Sequence, residues 1–561
     1  MRGGTGLSAR APSSASFTAL CAVLGAVLAL ALASCTGAPE KSAAAQNREG
    51  PAGAPRSSGG PAAFAAFPER LLEDRTAMYP RVVRLRDGRI VLTVATSAGE
   101  GVTDVARFYE SSDEGRSFRP MSEIRDPAAA EGRGGCCGSL LELPRQAGAQ
   151  PAGTLLWAGT AGMKNHAPGR RPELRVWRSV DGGRSWAYLS SCASAPDGTP
   201  WDRGLWEPEL TLDGQGRLVC YFADETQPGY DQALAQVAST DGGATWGPKT
   251  TVVAPGEHDR PGMPVVRRLP NGSYLMTYEM CGPAGSDSCK VYYRRSADGW
   301  TWGDPRDRGT AARTSDGKFL YHAPTIAWAP GGGPDGRLLL VGGLLRDHGG
   351  KLSRPASGST LLVNTENGHG RWYEQPAPVH VTFSSQPDHD EVVCSNYSSS
   401  LLPLGNGSGV LEVATKRGSD GRCQAYVSAA SLATTPGEPK DGPYRVRNAH
   451  SGLCLDATGP GDALTQLPCD DSRPRQRWTV APTGDGAQWL RNTRTGRCLG
   501  SGECPGDGWL LKRVAGNYYT PTLQADGRCL EVTDGAQSEG AVVRQSACNQ
   551  RAPQLWRFEP R

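Results

Sequence analysis

Short stretches of alternating apolar and polar residues, separated by glycine-containing turns, run through residues 63–432. One such unit starts at Tyr79, turns at Asp87 and Gly88, and returns to Leu92. The alternation has a period of two and no helical period is sustained, which predicts strands rather than helices. This region is therefore expected to be all-β.

The strand-turn-strand unit recurs along the region, and each copy is expected to supply the two inner strands of one propeller blade. The copies start at Tyr79, Gly138, Glu207, Met263, Ala323 and Tyr397. Six copies predict six four-stranded blades around a central channel.

A second motif interleaves with the first and has the form Ser-x-Asp-x-Gly-x-Ser/Thr-aromatic. Full copies occupy residues 111–118, 179–186 and 239–246, and a copy shorter by one residue occupies 296–302. The Ser and Asp side chains can hold backbone amides, the glycine adopts left-handed conformations, and the aromatic packs between sheets. The motif is similar to the Asp box of sialidase-like propellers, and we interpret its carboxylates as structural.

A different repeat occupies the last 120 or so residues. Three related segments lie at 452–456, 496–500 and 527–531, and Gln-x-Trp closes two of them at 476–478 and 554–556. This pattern resembles the ricin B-type β-trefoil, or carbohydrate-binding module family 13. The fold class expected for the whole chain is thus all-β, a six-bladed β-propeller followed by a β-trefoil. Each third holds its own cysteine pair, so the expected disulfides are Cys454–Cys469, Cys498–Cys504 and Cys529–Cys548.

The N-terminal segment 1–35 carries two arginines, an apolar run over 17–33 and the sequence Leu-Ala-Ser-Cys, which together resemble a bacterial lipoprotein signal. The apolar run is short for a membrane-spanning helix. We therefore expect lipidation of Cys35 and attachment to the outer face of the cell membrane; plain secretion and an uncleaved form are the alternatives. The remaining boundaries expected are a disordered linker at 36–62, the propeller at 63–432, a linker at 433–442 and the trefoil at 443–561.

The composition limits the classes of partner that the chain is expected to bind. The net charge is +3 and there is no Lys/Arg block, which argues against nucleic-acid binding. The sixteen cysteines show no paired Cys-x-x-Cys spacing and only eight histidines occur, so disulfides are expected rather than a metal site, and no cofactor is implied. The adjacent Cys136 and Cys137 are expected to reach different partners, or one to stay free. We expect a monomer.

Two glutamates fall where a propeller can bring them together. Glu207 opens the third blade, and Glu279 closes the second strand of the fourth, so both are expected at one mouth of the channel. A pair of carboxyls at a concave mouth suits glycoside hydrolysis, in which one protonates the leaving oxygen and the other attacks the sugar or activates water. Pro208 is expected to hold Glu207 in an extended conformation, and Glu209, two residues on, is the rival for its role.

Other residues are expected to contact the substrate at the same rim. The flanking aromatics Trp206 and Tyr278 can raise a carboxyl pKa and stack on a sugar ring. Arg81, Glu209 and Asp224 are the polar contacts expected.

Three segments, 79–83, 204–209 and 260–264, together with the Asp boxes, resemble glycoside hydrolase family 93 over the whole propeller. That resemblance implies a retaining exo-α-L-arabinanase that releases arabinobiose, with Glu207 as general acid/base and Glu279 as nucleophile. The division of roles between the two carboxyls stays open.

Two alternatives remain. A sialidase holds its anionic sugar through three arginines, but aligning Pro80 with the proline of the sialidase Arg-Ile-Pro motif places Met78 at the arginine position, which favours a neutral glycan. The alternative from another class is a non-catalytic, glycan-binding surface protein.

The trefoil resemblance also implies sugar-binding positions: an acid after Cys-Leu, an amide or acid near the second cysteine, and the glutamine of Gln-x-Trp. These positions are Asp456, Asp470, Gln476, Glu531, Asn549 and Gln554. The middle third has Gly500 in place of the acid and no Gln-x-Trp, so it is expected to be inactive. Leu467 and Ser546 replace the aromatic platform, so binding is expected to be weak.

Overall fold

The computed structural model describes most of the chain after residue 64. The described ranges are 65–97, 103–282, 289–314, 316–331, 335–354, 356–370, 372–432, 439, 442–458, 463–484, 487–500, 504, 508–515, 518–549 and 551–561. Cys35 and the 36–62 linker lie outside the described residues.

Six antiparallel sheets form the predicted propeller. The first strand and the first three blades are β1 (Phe67–Glu73); β2 (Ala77–Arg84), β3 (Ile90–Thr96), β4 (Val105–Ser111) and β5 (Arg119–Arg125); β6 (Gly135–Glu142), β7 (Leu155–Ala161), β8 (Glu173–Ser179) and β9 (Ala187–Ser194); and β10 (Leu205–Leu212), β11 (Leu218–Asp224), β12 (Ala233–Ser239) and β13 (Thr250–Val253).

The fourth and fifth blades follow along the chain, and short strands extend the fourth. Their strands are β14 (Arg260–Arg268), β15 (Tyr274–Cys281), β16 (Lys290–Ser296), β17 (Thr310–Ala311), β18 (Phe319–Tyr321), β19 (Thr325–Ala329), β20 (Arg337–Val341), β21 (Leu344–Arg346), β22 (Thr360–Asn364) and β23 (Tyr373–Pro376). In this set β18 and β21 pair with each other and join the sheet of the fourth blade through β16. A short helix, α1 (His389–Cys394), precedes the last blade.

The sixth blade contains strands from both ends of the propeller. It comprises β24 (Ser400–Leu404), β25 (Gly409–Arg417) and β26 (Cys423–Ser431), and β1 is its outermost strand. In the antiparallel β1–β26 ladder, Phe67 lies opposite Ala429 and Arg70 opposite Val427. The first strand of the propeller therefore closes the ring, a pairing that the sequence repeats do not reveal.

The Ser/Asp motifs form turns that also connect neighbouring blades. In the second copy, Asp181 Oδ1 accepts hydrogen bonds from the backbone N–H groups of Arg184 and Ser185, at 3.0 Å each. Burial opposes ionisation of Asp181, but these bonds and those from two serine hydroxyls lower its pKa to about 2. The motif tryptophan, Trp186, donates to Ser122 Oγ of the preceding blade at 3.1 Å. These carboxylates are therefore satisfied within their own turns.

A non-glycine residue with positive φ stands at the start of the innermost strand in the first four blades and two residues before that strand in the last two. These residues are Tyr79, Cys137, Glu207, Met263, Ala323 and Ser398, with φ between 46° and 65°. In the first four blades a register shift covers the position, which identifies a β-bulge. Because non-glycine residues seldom adopt positive φ, the repetition marks a shared geometry at the channel mouth.

Proline follows the positive-φ residue in four of the six blades, and in three of these the residue belongs to a bulge. These prolines are Pro80, Pro208, Pro264 and Pro324. The bulge leaves this position without a ladder partner, so the missing N–H of proline costs no hydrogen bond. The expectation that Pro208 holds Glu207 extended is therefore wrong: Glu207 has φ 50°.

The C-terminal region forms a ten-stranded sheet, consistent with a β-trefoil. Its strands are β27 (Gly442–Asn448), β28 (Cys454–Asp456), β29 (Leu464–Leu467), β30 (Arg477–Pro482), β31 (Gln488–Asn492), β32 (Trp509–Ala515), β33 (Tyr518–Leu523), β34 (Cys529–Val532), β35 (Val542–Ser546) and β36 (Trp556–Pro560).

Three buried tryptophans make the same hydrogen bond in the three thirds of the trefoil. Trp478, Trp509 and Trp556 donate to the carbonyl oxygens of Leu455, Leu499 and Leu530 at 3.1, 2.9 and 2.9 Å. Trp478 and Trp556 are the predicted core residues of Gln-x-Trp. The middle third lacks that motif, yet Trp509 supplies the equivalent contact.

Seven disulfides join cysteines of the described residues, including the three expected in the trefoil. In the propeller they pair Cys192 with Cys220, Cys281 with Cys289, and Cys394 with Cys423. The expectation for the adjacent cysteines is wrong, because Cys136 and Cys137 bond to each other. In the part of the chain that the structure describes, no helix is long and apolar enough to cross a membrane.

Candidate active site at the channel mouth

Glu207 occupies the bulge of β10. Regular pairing with β11 holds on either side, at Trp206 opposite Ala223 and at Glu209 opposite Tyr221. The bulge turns the half-buried Glu207 side chain towards the fourth blade, where its Oε2 accepts a hydrogen bond from the N–H of Met263 at 3.3 Å. The donor is itself a bulge residue, so the repeated backbone geometry creates this contact.

Glu279 lies on β15, opposite Gly262 of β14. Its Oε2 accepts a hydrogen bond from the N–H of Ala323, the positive-φ residue of the fifth blade, at 2.7 Å. A Cβ atom at Gly262 would lie 2.7 Å from Gln232 Nε2 and 3.5 Å, ordinary contact distance, from Glu279 Oε1, so the glycine brings the backbone close to the carboxyl. His322 Nε2 is 3.9 Å from Oε2.

The two carboxyls therefore meet at one segment of backbone. Glu207 is bonded to the N–H of Met263, and Glu279 lies against the adjacent Gly262. Glu207 and Glu279 come from different blades and are 72 positions apart in sequence. The structure thus brings together the two glutamates selected from the sequence.

The environment of the mouth affects the protonation of Glu207. Burial, together with the negative charge of Glu279, raises the pKa of Glu207 to about 8, against the lowering effect of the Met263 N–H. Glu207 is consequently protonated at neutral pH and can act as a proton donor.

Two tyrosines that sequence reasoning did not assign to the site line the same mouth. The rings of Tyr79 and Tyr397 meet edge to face with centroids 5.3 Å apart, and Tyr79 Oη lies 2.7 Å from Met263 Sδ. Burial and the charges of Glu279 and Glu207 raise the pKa of Tyr397, so its hydroxyl stays protonated. His322, also missed, packs against Tyr397 at 5.0 Å. The sequence could have pointed to Tyr79 and Tyr397, because each of them starts one copy of the repeated strand-turn-strand unit.

A second polar cluster borders the carboxyls. Trp206 donates its indole N–H to Glu225 Oε2 at 2.6 Å, and Arg260 forms an ion pair with the same carboxyl. Arg260 also donates to Gln232 Oε1 at 3.0 Å. Trp206 is half-buried next to Glu207, in the place expected of a substrate contact. Glu225 and Arg260 are buried or half-buried and hold it there.

Arg81 and Glu209 lie two residues further into the channel. Glu209 is 4% exposed and binds the guanidinium of Arg267 at 2.5 Å. Arg81 donates to the carbonyl and hydroxyl oxygens of Ser398 at 3.1 and 3.0 Å. Arg81, Glu209 and Arg267 line a channel cavity of about 410 Å³. Because Glu209 is engaged in an ion pair inside the channel, Glu207 is the carboxyl of β10 that lies at the mouth.

Two other expected substrate contacts point elsewhere. Tyr278 is fully buried between blades and donates its hydroxyl hydrogen to the carbonyl of Arg308 at 2.6 Å. Asp224 is fully buried and pairs with Lys249. The structure does not bring these side chains to the carboxyls. For Tyr278 the reason is strand alternation, because its neighbour Glu279 faces the channel.

The site contains one cluster of metal-ligand type among the described residues, formed by Glu279, Cys289 and His322 within 4.8 Å of one another. Cys289 is bonded to Cys281 in a disulfide and offers no thiolate. Only two ordinary ligands remain, fewer than the three protein ligands of a catalytic zinc site.

The expected sugar-binding residues of the trefoil divide into accessible and buried groups. Asp456 is fully buried, and neither carboxylate oxygen has a hydrogen-bond partner among the residues that the structure describes. Glu531 is half-buried and accepts a hydrogen bond from Gln554 Nε2 at 2.7 Å. The last third of the trefoil therefore leaves its acid, Glu531, partly accessible, whereas the first third buries its acid, Asp456.

The remaining trefoil residues shape the loop at the second cysteine of each pair. Gln476 and Gln554 are buried, and their Oε1 atoms accept hydrogen bonds from the N–H groups of Asp470 and Asn549 at 2.9 and 2.8 Å. Asp470 in turn binds Ser472 through its side chain. The two glutamines thus act on the backbone rather than at an open surface.

Comparisons with known proteins agree with this architecture. The family described as "Ricin-type beta-trefoil lectin domain-like" matches residues 424–504 and 505–561. The match starts inside β26, a strand that pairs with β25 and β1, so strand pairing places the start of the trefoil later, at β27. No curated protein sequence matches the chain.

Solved structures resemble the propeller. An α-L-arabinanase from Penicillium chrysogenum, in complex with arabinobiose, is 25% identical with a TM-score of 0.53; the match covers 66% of this chain and 99% of that one. An α-L-arabinofuranosidase of Fusarium graminearum, bound to an iminosugar inhibitor, is 23% identical with a TM-score of 0.52 and coverages of 66% and 98%. The complex of the Fusarium graminearum family 93 α-L-arabinofuranosidase with arabinobiose is 23% identical with a TM-score of 0.51, and the match covers 66% of this chain and 98% of that one. Each of these neighbours is a glycoside hydrolase of the same fold.

Proposed function

We propose that this chain is an extracellular, retaining exo-glycosidase that acts on a neutral polysaccharide. The substrate we propose is linear 1,5-α-L-arabinan, with release of arabinobiose. The observation that carries the proposal is the meeting of Glu207 and Glu279 at the Gly262–Met263 backbone, with Glu207 protonated at neutral pH. Likeness to the Penicillium arabinanase supports the choice of sugar.

We propose Glu207, which is protonated at neutral pH, as the general acid/base and Glu279 as the nucleophile. In the first step a carboxylate oxygen of Glu279 bonds to the anomeric carbon as the glycosidic C–O bond breaks, and Glu207 gives its proton to the leaving oxygen. In the second step Glu207, now ionised, takes a proton from water as the water oxygen displaces Glu279 from the anomeric carbon. This sequence retains the anomeric configuration and calls for carboxyls about 5 to 5.5 Å apart.

The charges around the site support a neutral sugar over sialic acid. The arginines near the carboxyls are each engaged: Arg81 with Ser398, Arg260 with Glu225, and Arg267 with Glu209. Met78, at the position of a sialidase arginine, packs among apolar residues of the mouth. A carboxylated substrate would have to break one of these pairs to gain its clamp.

Product identification tests the proposal. Purified protein is incubated with linear arabinan, sialyllactose and other plant glycans, and products are identified by chromatography and proton NMR. We expect a disaccharide from arabinan that first appears in the α-configuration. Release of sialic acid, arabinose monomer as the first product, or an inverted anomer would each overturn a stated part of the proposal.

The trefoil and the N-terminus complete the proposed function. We propose that the trefoil retains the enzyme on polysaccharide and that lipidation of Cys35 holds it at the cell surface. Labelling of expressing bacteria with an alkyne fatty acid tests the anchor. Label should appear in the wild-type protein and be absent from Cys35→Ser; equal labelling would refute lipidation at this residue.

A further inference from the structure

Trp201 is the exception among the tryptophans of this protein. Of the fourteen in the sequence, thirteen are buried or half-buried, and Trp201 alone is exposed, at 69%. Its loop connects β9 to β10 and leads directly into Glu207, six residues on. A chain of six residues spans at most about 20 Å, so the indole lies within a few sugar units of the carboxyl.

A second exposed ring accompanies Trp201. His166, on the loop between β7 and β8, lies with its ring centroid 6.2 Å from that of Trp201, and the planes are inclined by 36°. Two loops that are separate in sequence thus present neighbouring rings to solvent. Strand direction places both loops at the rim where the inner strands begin, which is the rim of Glu207.

A buried arginine holds the two loops together. Arg170 is 3% exposed and its guanidinium donates to the carbonyl oxygens of Pro200 and Arg203 at 2.7 Å each. The same guanidinium donates to the carbonyl of Met163 at 2.9 Å. It thereby fixes the backbone on both sides of Trp201 and the start of the loop that carries His166. Burying a charged group is costly unless it is hydrogen-bonded, and Arg170 directs its hydrogen bonds to the backbone of these two loops.

From these observations we infer that Trp201, with His166, is a sugar-binding platform outside the cleavage site. It takes neutral sugar units of the same polysaccharide, on the leaving side of the bond that Glu207 and Glu279 break. An indole face is apolar and electron-rich, so it packs against the C–H groups of a sugar ring, and a prepositioned ring loses little entropy on binding. The inference rests on the proposed function for the identity of the chain that crosses it.

The platform predicts a dependence on substrate length. Soluble arabino-oligosaccharides of three to eight units avoid multivalent retention by the trefoil. With the wild-type protein, KM should fall as the chain becomes long enough to reach the platform. With Trp201→Ala, KM for the longest oligosaccharide should rise about five- to tenfold, with kcat and the KM for the trisaccharide unchanged. Trp201→Phe should recover most of the loss.

The matched control is Tyr188→Ala. Tyr188 is also an exposed aromatic, at 44%, but it lies on β9, the outermost strand of its blade. This variant should keep the wild-type length dependence. An unchanged KM in Trp201→Ala, or an equal change in Tyr188→Ala, would overturn the platform.

A binding measurement separates failure of the platform from failure of the proposed function. Glu279→Gln and Glu279→Gln/Trp201→Ala proteins are run in native gels that contain soluble arabinan, xylan or galactan. Because both proteins carry the trefoil, slower migration of the first protein than of the second, in any neutral glycan, supports the platform even if arabinan is not hydrolysed. Equal migration of both proteins in every glycan refutes it, whatever the activity of the wild type.

Discussion

The carboxyl of Glu207 accepts a hydrogen bond from the N–H of Met263, the residue that occupies the equivalent bulge one blade further on. Glu279 makes the same kind of bond with Ala323, the positive-φ residue of the next blade. A repeated feature of the backbone thus serves as the support of both carboxyls. This arrangement fixes their positions without using another charged side chain as the partner.

Activity should decline as the pH passes about 8. Glu207 has to carry a proton to assist the leaving group, and burial with the charge of Glu279 raises its pKa to about 8. The alkaline limb of kcat/KM should therefore have an apparent pKa near 8, measured with a short soluble oligosaccharide between pH 5 and 10. A rate that stays constant to pH 10 would contradict the role of Glu207 as the acid.

Loss of either carboxyl should remove turnover. Glu207→Gln and Glu279→Gln change volume little but abolish proton transfer or attack, so kcat should fall by at least about 10² to 10⁴. Azide should restore activity to Glu279→Ala with a product of the opposite anomeric configuration. Restoration in Glu207→Ala instead, with this inversion of the product, would exchange the two roles.

Glu412→Gln is the matched control for these variants. Glu412 is fully buried, and burial raises its pKa to about 8, as for Glu207, but it lies on β25 and binds the N–H of Val379. Activity should stay within about twofold of wild type, because this carboxyl is not at the mouth. A loss as large as that of Glu207→Gln would mean that any buried carboxyl change inactivates the fold.

The same residue predicts how stability varies with pH. The folded-state pKa of Glu412 is about 8, well above its ordinary value of 4.5, so folding is favoured below pH 4.5 and this contribution is lost as pH rises towards 8. The Glu412→Gln protein has no carboxyl to ionise at this position, so it does not lose this stability. The urea midpoint of Glu412→Gln minus that of the wild type should therefore increase between pH 5 and pH 8 and change little above pH 8. A difference independent of pH would show that Glu412 does not titrate in this range.

Polysaccharide retention should depend more on Glu531 than on Asp456. Glu531 is accessible beside Gln554, whereas the Asp456 carboxyl is fully buried. Glu531→Ala should reduce binding to insoluble arabinan or xylan, and adding Asp456→Ala should reduce it little further. Hydrolysis of a short soluble oligosaccharide should not change in either variant. The exposed Asp534 provides the control: Asp534→Ala should bind as wild type does. Full retention by the Glu531 variant would place sugar binding on another surface.

The sequence was informative where a pattern repeated. The six blades, the tryptophans of Gln-x-Trp and the three trefoil disulfides all follow from repeats. The pair Glu207 and Glu279 followed from the rule that inner strands of adjacent blades share a mouth. Alternation along β15 could also have excluded Tyr278, since adjacent side chains face opposite sides of a strand.

Contacts that depend on three-dimensional closure could not be predicted from these repeats. The sequence of β1 has no counterpart among the repeats, so its place in the last blade was not evident. Trp509 has no glutamine two residues before it, so the sequence motif did not mark it as the equivalent of Trp478 and Trp556. The positive φ of Glu207 contradicts the usual effect of a following proline. The clue in the sequence was that proline recurs at this position of the repeat, as Pro80, Pro208, Pro264 and Pro324.

The β1–β26 ladder also governs when the propeller can be completed. Ser428 Oγ donates to the carbonyl of Phe67 across 361 positions of sequence. At about 5 to 20 residues per second, the partner of β1 follows it from the ribosome by on the order of tens of seconds. Until then β1 has no partner within its own chain, and its exposed edge can pair with strands of other molecules. The newly made chain therefore passes through a vulnerable period that ends only when its last blade arrives.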